Sequence, residues 1–432
     1  MLGFILFASL STLVIPQGSY DRVFDEDLQR EKVIPGSYHT VDEEGLSIYD
    51  VALSVPEGII GRSELIVLIF LLGGCFVVIE KTGALQEGVI WLTHKLKGNE
   101  NIILIIVGLL FMAGGVTQGL QEEIIAMTPV LIFLCKRLGY NVFVAIAVSF
   151  GSAILGGAFS PMNPFGVMVA QSVAEVPLLS GAVFRLVILA AAFSVWMIML
   201  IRYARKNMIP KETTEEDATL STRNAVILGM VGLTFALLVY GMLELGWGFN
   251  EISAEFFVMG IIAGLIGRLG LNGTSEAYIE GFREMTFAAI ILGLANSISI
   301  VLEKGVIIDS VIYGLFIPLQ HLPTSISAIS MMISHSILHI PVPSYSGQAV
   351  LTMPILAPLS DLIGLSRQVC VLAYQYGAIM MDVIIPTNGA LMAILAVAKI
   401  DYKDWFKFVW KFVAVIMVLS ALAIFVAVII GV

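Results

Sequence analysis

Two Pro-x-Asn motifs, Pro161-Met162-Asn163 and Pro386-Thr387-Asn388, interrupt apolar stretches long enough to enter a lipid bilayer. No other feature constrains the fold so tightly. A helix that breaks in hydrocarbon strands backbone N–H and C=O groups. Lipid cannot satisfy them, so such breaks persist only beside protein or a water-filled cavity. Pro161, Pro164 and Pro386 remove donors and force the breaks. Freed carbonyls suit a hard cation, and helix N-termini facing the gap suit a negative group. Asn163 and Asn388 can supply a donor or an acceptor. A single proline would read as a simple kink, whereas two matched motifs read as binding sites.

The composition makes lipid the main solvent. The chain is 58% hydrophobic and 13% charged, with a mean hydropathy of +0.95; a soluble domain is about 25% charged. The net charge is −10, with acids crowded between Asp21 and Asp50. Nucleic-acid binders are basic, so nucleic acid is excluded as a partner. Cys75, Cys135 and Cys370 have no metal-site spacing.

Residues 1–16 read as a first membrane helix. They lack a basic leader and a clear cleavage site, so they are expected to be retained. Residues 17–62 form a polar extracytoplasmic excursion. Residues 63–201 carry a crossing from Glu64, an interfacial helix over 85–97, a hairpin over 102–134 and a broken helix over 142–173. A charged cytoplasmic linker occupies 202–224. Residues 225–432 add further crossings, a hairpin over 326–362 and a broken helix over 369–397.

The two long segments repeat each other. At an offset of about 225 residues, Pro129 falls on Pro354, Gly139 on Gly364, Pro161 on Pro386 and Asn163 on Asn388. The repeat period holds an odd number of crossings, so the halves are expected to be inverted. In that topology 16 of the 23 Lys and Arg, among them Lys136, Arg137, Arg202, Arg205 and Lys206, share one side. The basic side is cytoplasmic. The first hairpin then enters from the cytoplasm and the second from outside.

Each hairpin tip is small and polar: Gln118, Gly119, Gln121, Glu122 and Glu123 in the first, Ser344, Tyr345, Ser346, Gly347 and Gln348 in the second. A tip that stops midway needs polar material, and the break of its own repeat is nearest. The alternative is an aqueous loop between two full crossings. Ionisable residues at membrane depth are functional by default, which singles out Glu122, Glu123 and Asp382; Asp382 also reads as a structural carboxyl. No Lys or Arg lies in either tip or break, so the lining is expected to be acidic and polar. His335 and His339 share a helix face at a spacing that can bind metal, but hydrogen-bonded histidines fit better. Gly73-Gly74 and Gly156-Gly157 read as close helix contacts. No nucleophile–base constellation stands out, so an intramembrane enzyme is not expected.

Glu122-Glu123, Met162-Asn163-Pro164-Phe165, Ser346-Gly347-Gln348-Ala349, Leu351-Thr352-Met353-Pro354 and Ala357-Pro358-Leu359 together resemble the C4-dicarboxylate anaerobic carrier family of the ion transporter superfamily. The resemblance runs from about Glu64 to Trp410 and leans toward the branch named for basic amino-acid antiport. It implies an all-α polytopic protein of the bacterial inner membrane. Two inverted repeats would each hold a re-entrant hairpin and a broken helix. A homodimeric scaffold would carry an elevator-type transport domain. It also implies that the tip residues, Asn163, Thr387 and Asn388 line the solute and ion sites. Tyr345 and Asp382 depart from the family pattern.

The expected activity is secondary transport of a cationic or zwitterionic amino acid coupled to Na+ or H+, with a C4-dicarboxylate as the alternative solute. No cofactor is expected beyond the coupling ion. A sodium ion would sit near Gly119, Asn163, Ser346 and Asn388.

Overall fold

Ser47 and Asp50 close a capping box that starts a helix inside the excursion. The Ser47 hydroxyl accepts from Asp50 N at 3.2 Å, and the Asp50 carboxylate accepts from Ser47 N at 3.0 Å. This helix, Ile48–Ile60, was not expected from the sequence. In the computed structural model, residues 2–25, 30–34, 36–42, 45–85, 87–88, 91, 100–117, 119–210, 220–245 and 247–432 are described. Most of the expected interfacial helix over 85–97, with His94, Lys95 and Lys97, lies outside them, as does Gln118.

The chain is mostly helical. We label α1 Leu2–Val14, α2 Ile48–Ile60, α3 Ser63–Lys81, α4 Glu100–Thr117 and α5 Glu123–Arg137. The first broken helix is α6, Val142–Ala158, with a π turn at Ala147–Gly151. Its continuation is a π turn, Pro164–Met168, followed by α7, Val169–Val173. Then come α8 Ala182–Lys206, α9 Thr222–Glu244, α10 Phe249–Ile266, α11 Gly270–Lys304, α12 Ile308–Phe316, α13 Thr324–Leu338 and α14 Tyr345–Leu362. The second broken helix is α15, Arg367–Ala378, tightening into a 3-10 turn over Ile379–Val383, and α16, Gly389–Val397. The last helix, α17, is Tyr402–Ile430.

Among the described residues, five helices are long and apolar enough to cross a bilayer: α3, α4, α8, α10 and α17. At about 1.5 Å per residue, the 15 residues of α5 and of α13 reach only about 22 Å, short of a hydrocarbon core of about 30 Å. The excursion departs from an all-α expectation by holding two small antiparallel sheets. Gly18–Ser19 pairs with His39–Thr40, and Arg22–Asp25 with Arg30–Val33. It is moored to α12, where Asp309 accepts from Tyr20 N at 2.9 Å and pairs with Arg22 at 2.7 Å.

The helices pack in two groups that meet where α11 lies along α16. One is α3 against α10 and α11, with α1 and α2 also on α11. The other holds both hairpins and both broken helices, and its pairings match between the halves. The arms α4 and α5 both lie on α6, as α13 and α14 both lie on α15. Helix α8 follows the first break and packs on α6 and α4; α17 follows the second and packs on α15 and α13. Each second arm also crosses over, α14 to α7 and α5 to α16.

Missing side chains allow these contacts. A Cβ on Gly156 would lie 2.2 Å from Met112 O, and one on Gly377 would lie 2.1 Å from Met332 O. Gly73 and Gly74 sit equally tightly against Met285 and Tyr278 of α11. The close contacts expected at Gly73-Gly74 and at Gly156 are present.

Candidate functional site

At the first break the stranded backbone groups are taken up by side chains. Ser160 Oγ donates to Val116 O of α4 at 2.7 Å and accepts from Met162 N and Asn163 N at 2.9 and 2.8 Å. Asn163 Oδ1 accepts from Phe165 N and Gly166 N at 3.0 and 2.9 Å, while its Nδ2 donates to Gly115 O at 2.9 Å. One buried amide thus caps the post-break segment and clips the hairpin arm to it. Gly119 turns the tip with φ +70, and a Cβ there would lie 2.9 Å from Asn163 Nδ2.

The second break repeats the device. Asn388 Oδ1 accepts from Leu391 N at 2.7 Å, and its Nδ2 donates to Gln121 Oε1 of the first tip at 3.0 Å. Gln121 Nε2 donates to the Tyr345 hydroxyl of the second hairpin and to Asp382 Oδ2, the latter at 2.9 Å. Asp382 Oδ1 lies 3.0 Å from His339 Nε2, and His339 Nδ1 lies 2.7 Å from Gln348 Oε1. Gln348 Nε2 reaches both His335 O and His335 Nδ1 at 3.0 Å. This buried chain joins both tips to the second break.

A cavity of ≈ 610 Å³ opens against these elements. The first tip contributes Gly119, Gln121, Glu122 and Glu123. The second contributes Ser344, Tyr345 and Ser346, and the second break Thr387 and Asn388. The first turns of α14 and α16 therefore border it, an arrangement that favours negative charge. The opposite wall belongs to the α3, α10 and α11 group: Arg62, Leu65, Trp247, Phe249, Asn296 and Ser299. These residues sit before or at the starts of α3 and α10 and near the end of α11. Farther along α3 and α11, a second cavity of ≈ 370 Å³ lies against α5, with Glu80, Lys136, Glu284 and Lys399 on its walls.

Most expected site residues are brought together, in two layers. Asn163, Gln348 and Asp382 are buried behind the lining and position it. Pro161, Pro386 and Gly347 are off the lining; Gly347 N donates to Ser344 Oγ at the start of α14. The expectation of an acidic and polar lining needs correction, because Arg62 adds a guanidinium. It comes from the facing group of helices, not from a tip or break. Its one sequence signal was a basic residue against the cytoplasmic bias. Trp247, Asn296 and Ser299 carried no signal.

Among the described residues no three His, Cys, Asp or Glu side chains cluster as a metal site. His335 and His339 are held by Gln348 and Asp382. Of the residues expected near a sodium ion, Gly119, Ser346 and Asn388 line the cavity and Asn163 lies behind Gly119. The side-chain oxygens of both asparagines accept backbone N–H groups.

The chain matches the family model described as C4-dicarboxylate anaerobic carrier over residues 1–429. An uncharacterized protein of Haemophilus influenzae is 31% identical over 424 residues, covering 93% of this chain and 82% of that protein. The Escherichia coli (strain K12) protein named "Putative basic amino acid antiporter YfcC" is 29% identical over 471 residues, covering 97% and 93%. Among solved structures, the YdaH transporter of Alcanivorax borkumensis aligns over 100% of this chain and 97% of its own at 12% identity, with a TM-score of 0.45. That likeness is too weak to carry an argument.

Proposed function

This chain belongs to the C4-dicarboxylate anaerobic carrier family, a family of membrane transporters, and from that premise we propose that it is an ion-coupled secondary transporter of a cationic or zwitterionic amino acid. The observation that carries the proposal is the charge placement around the ≈ 610 Å³ cavity: Glu122 and Glu123 on the first hairpin tip, with Arg62 on the facing wall. An α-ammonium or basic side chain would sit against the two carboxylates. An α-carboxylate would sit against Arg62, which can bind it bidentately, and against the first turns of α14 and α16.

Two features support an elevator mechanism built on inverted repeats. The matched pairings of hairpins, broken helices and crossing arms are what two copies of one unit would give. The two cavities lie at opposite ends of the seam between the helix groups. Sliding one group along the other would expose the tips to one side and then the other. With the basic loops cytoplasmic, the larger cavity faces outward, in a bacterial inner membrane and, by family resemblance, in a homodimer.

A second reading is a C4-dicarboxylate, favoured by Arg62 together with two helix N-termini. It leaves Glu122 and Glu123 as unfavourable neighbours of an anion. A thermal-stability screen of purified protein separates the two, since a ligand that binds the folded state raises apparent stability. L-Lysine, L-arginine and L-serine should shift the midpoint and succinate should not. A shift with succinate alone would sink the amino-acid reading.

A further inference from the structure

His339 and Asp382 are 0% and 1% exposed, and the hydrogen bonds around them determine how many protons the pair carries. His335 O can only accept, so the Gln348 atom on it is Nε2. Gln348 Oε1 therefore faces His339, and His339 Nδ1 must carry a hydrogen. On the other side, Asn388 Oδ1 is fixed by accepting from Leu391 N. Asn388 Nδ2 then faces Gln121 Oε1, and Gln121 Nε2 donates to Asp382 Oδ2. What remains is the 3.0 Å contact between His339 Nε2 and Asp382 Oδ1. With no proton there, two lone pairs would face each other in a buried site. With one proton, either as neutral imidazole and carboxylic acid or as imidazolium and carboxylate, the contact is a hydrogen bond and the pair is neutral overall.

We propose that the His339–Asp382 pair, set in the hydrogen-bond chain between the two hairpin tips, is the proton-binding site through which transport is coupled to a proton gradient. This rests on the transporter reading and names its coupling ion. One proton enters from cavity water and is held between Oδ1 and Nε2. It leaves to water on the other side once the carrier has moved. Gln121 and Tyr345 each line the cavity and contact Asp382, so they separate the pair from solvent by a single layer. Losing the proton sets lone pair against lone pair and loosens His339 of the second hairpin from the turn before the second break. Proton occupancy and the assembled solute site are then linked. The other titratable groups facing the pair are Glu122 on the first tip, Tyr345 on α14, Tyr374 on α15 and His335 on α13. Tyr374 is held elsewhere, donating to Tyr345 O at 2.7 Å.

The test uses Asp382→Asn, whose amide can donate to His339 Nε2 and accept from Gln121 but has no ionisable proton. Infrared difference spectra of purified protein across a pH step read proton release without any solute. Proteoliposomes loaded with L-lysine read the ratio of pH-gradient-driven uptake to counterflow exchange. Wild type should show a carboxyl or imidazolium band that is lost at high pH and absent from Asp382→Asn. The variant's uptake ratio should fall at least tenfold, to about one. Wild-type-like gradient response in Asp382→Asn overturns the proposal, as does wild-type uptake driven by sodium and indifferent to pH. A band without transport of L-lysine, L-arginine, L-serine or succinate keeps the proton site and removes the solute reading instead.

Discussion

His339 Nε2 and Asp382 Oδ1 meet at 3.0 Å, one from the end of the second hairpin's first arm and one from the 3-10 turn ahead of the second break. Breaking a buried pair by removing one partner costs about 3–5 kcal/mol, because the other is left uncompensated. His339→Leu should therefore lower the unfolding midpoint far more than Asp382→Asn, which keeps both hydrogen bonds. Thermal unfolding in detergent compares them; equal losses would mean that the pair is not held as described.

Gln121 joins three elements by accepting from Asn388 and donating to Tyr345 and Asp382. Gln121→Leu leaves all three short of a partner. Hydrogen bonds inside membrane proteins contribute about 0.6 kcal/mol on average and up to about 1.7, so a total loss of roughly 1–3 kcal/mol is expected. A double-mutant cycle of Gln121→Leu with Asn388→Ala should show coupling, whereas Gln121→Leu with Asn163→Ala should be additive.

Asn163 and Asn388 each cap a post-break segment through Oδ1. Replacing a cap by alanine costs about 1 kcal/mol. Asn163→Asp keeps the acceptor but turns an anionic oxygen toward Gly115 O, so it should be worse than Asn163→Ser. Protease accessibility around each break provides the readout.

Gly377 lies against Met332 O of α13, where an added Cβ would come within 2.1 Å of a backbone atom that cannot move aside. Gly377→Ala should cost about 1–3 kcal/mol through overpacking and lower the folded yield. Gly314→Ala, with open space around it, serves as the control.

Much of the site could be read from the sequence, because its signals were local and chemical. Proline in an apolar run implies a break, an asparagine two residues on offers a donor and an acceptor there, and small polar tips imply something polar opposite; that both asparagines spend their oxygens as caps emerged only from the fold. Arg62 could not be found that way. It belongs to the facing group of helices and reaches the cavity only through tertiary packing. The link from His339 to Asp382 was equally hidden: both residues stood out singly, but 43 residues separate them. Gln121 and Asn388 are 267 residues apart. Helix α2 was not legible as a helix, because Pro56 and Gly58 interrupt its pattern inside an otherwise polar segment.

Arg62→Gln should weaken binding of any solute with a carboxylate, and Arg62→Lys less so, because lysine lacks the bidentate fork. Loss of one charge-assisted contact of about 1.4 kcal/mol is a tenfold weaker affinity. Equilibrium binding of radiolabelled L-lysine to purified protein measures it.

The most direct test is saturable uptake of L-lysine and of succinate by proteoliposomes holding wild type, Glu122→Gln or Glu123→Gln. The expected result is L-lysine uptake by wild type that both substitutions abolish, with little succinate uptake by any. Succinate uptake by wild type that survives both substitutions, without L-lysine uptake, would contradict a site in which paired carboxylates receive a cationic group.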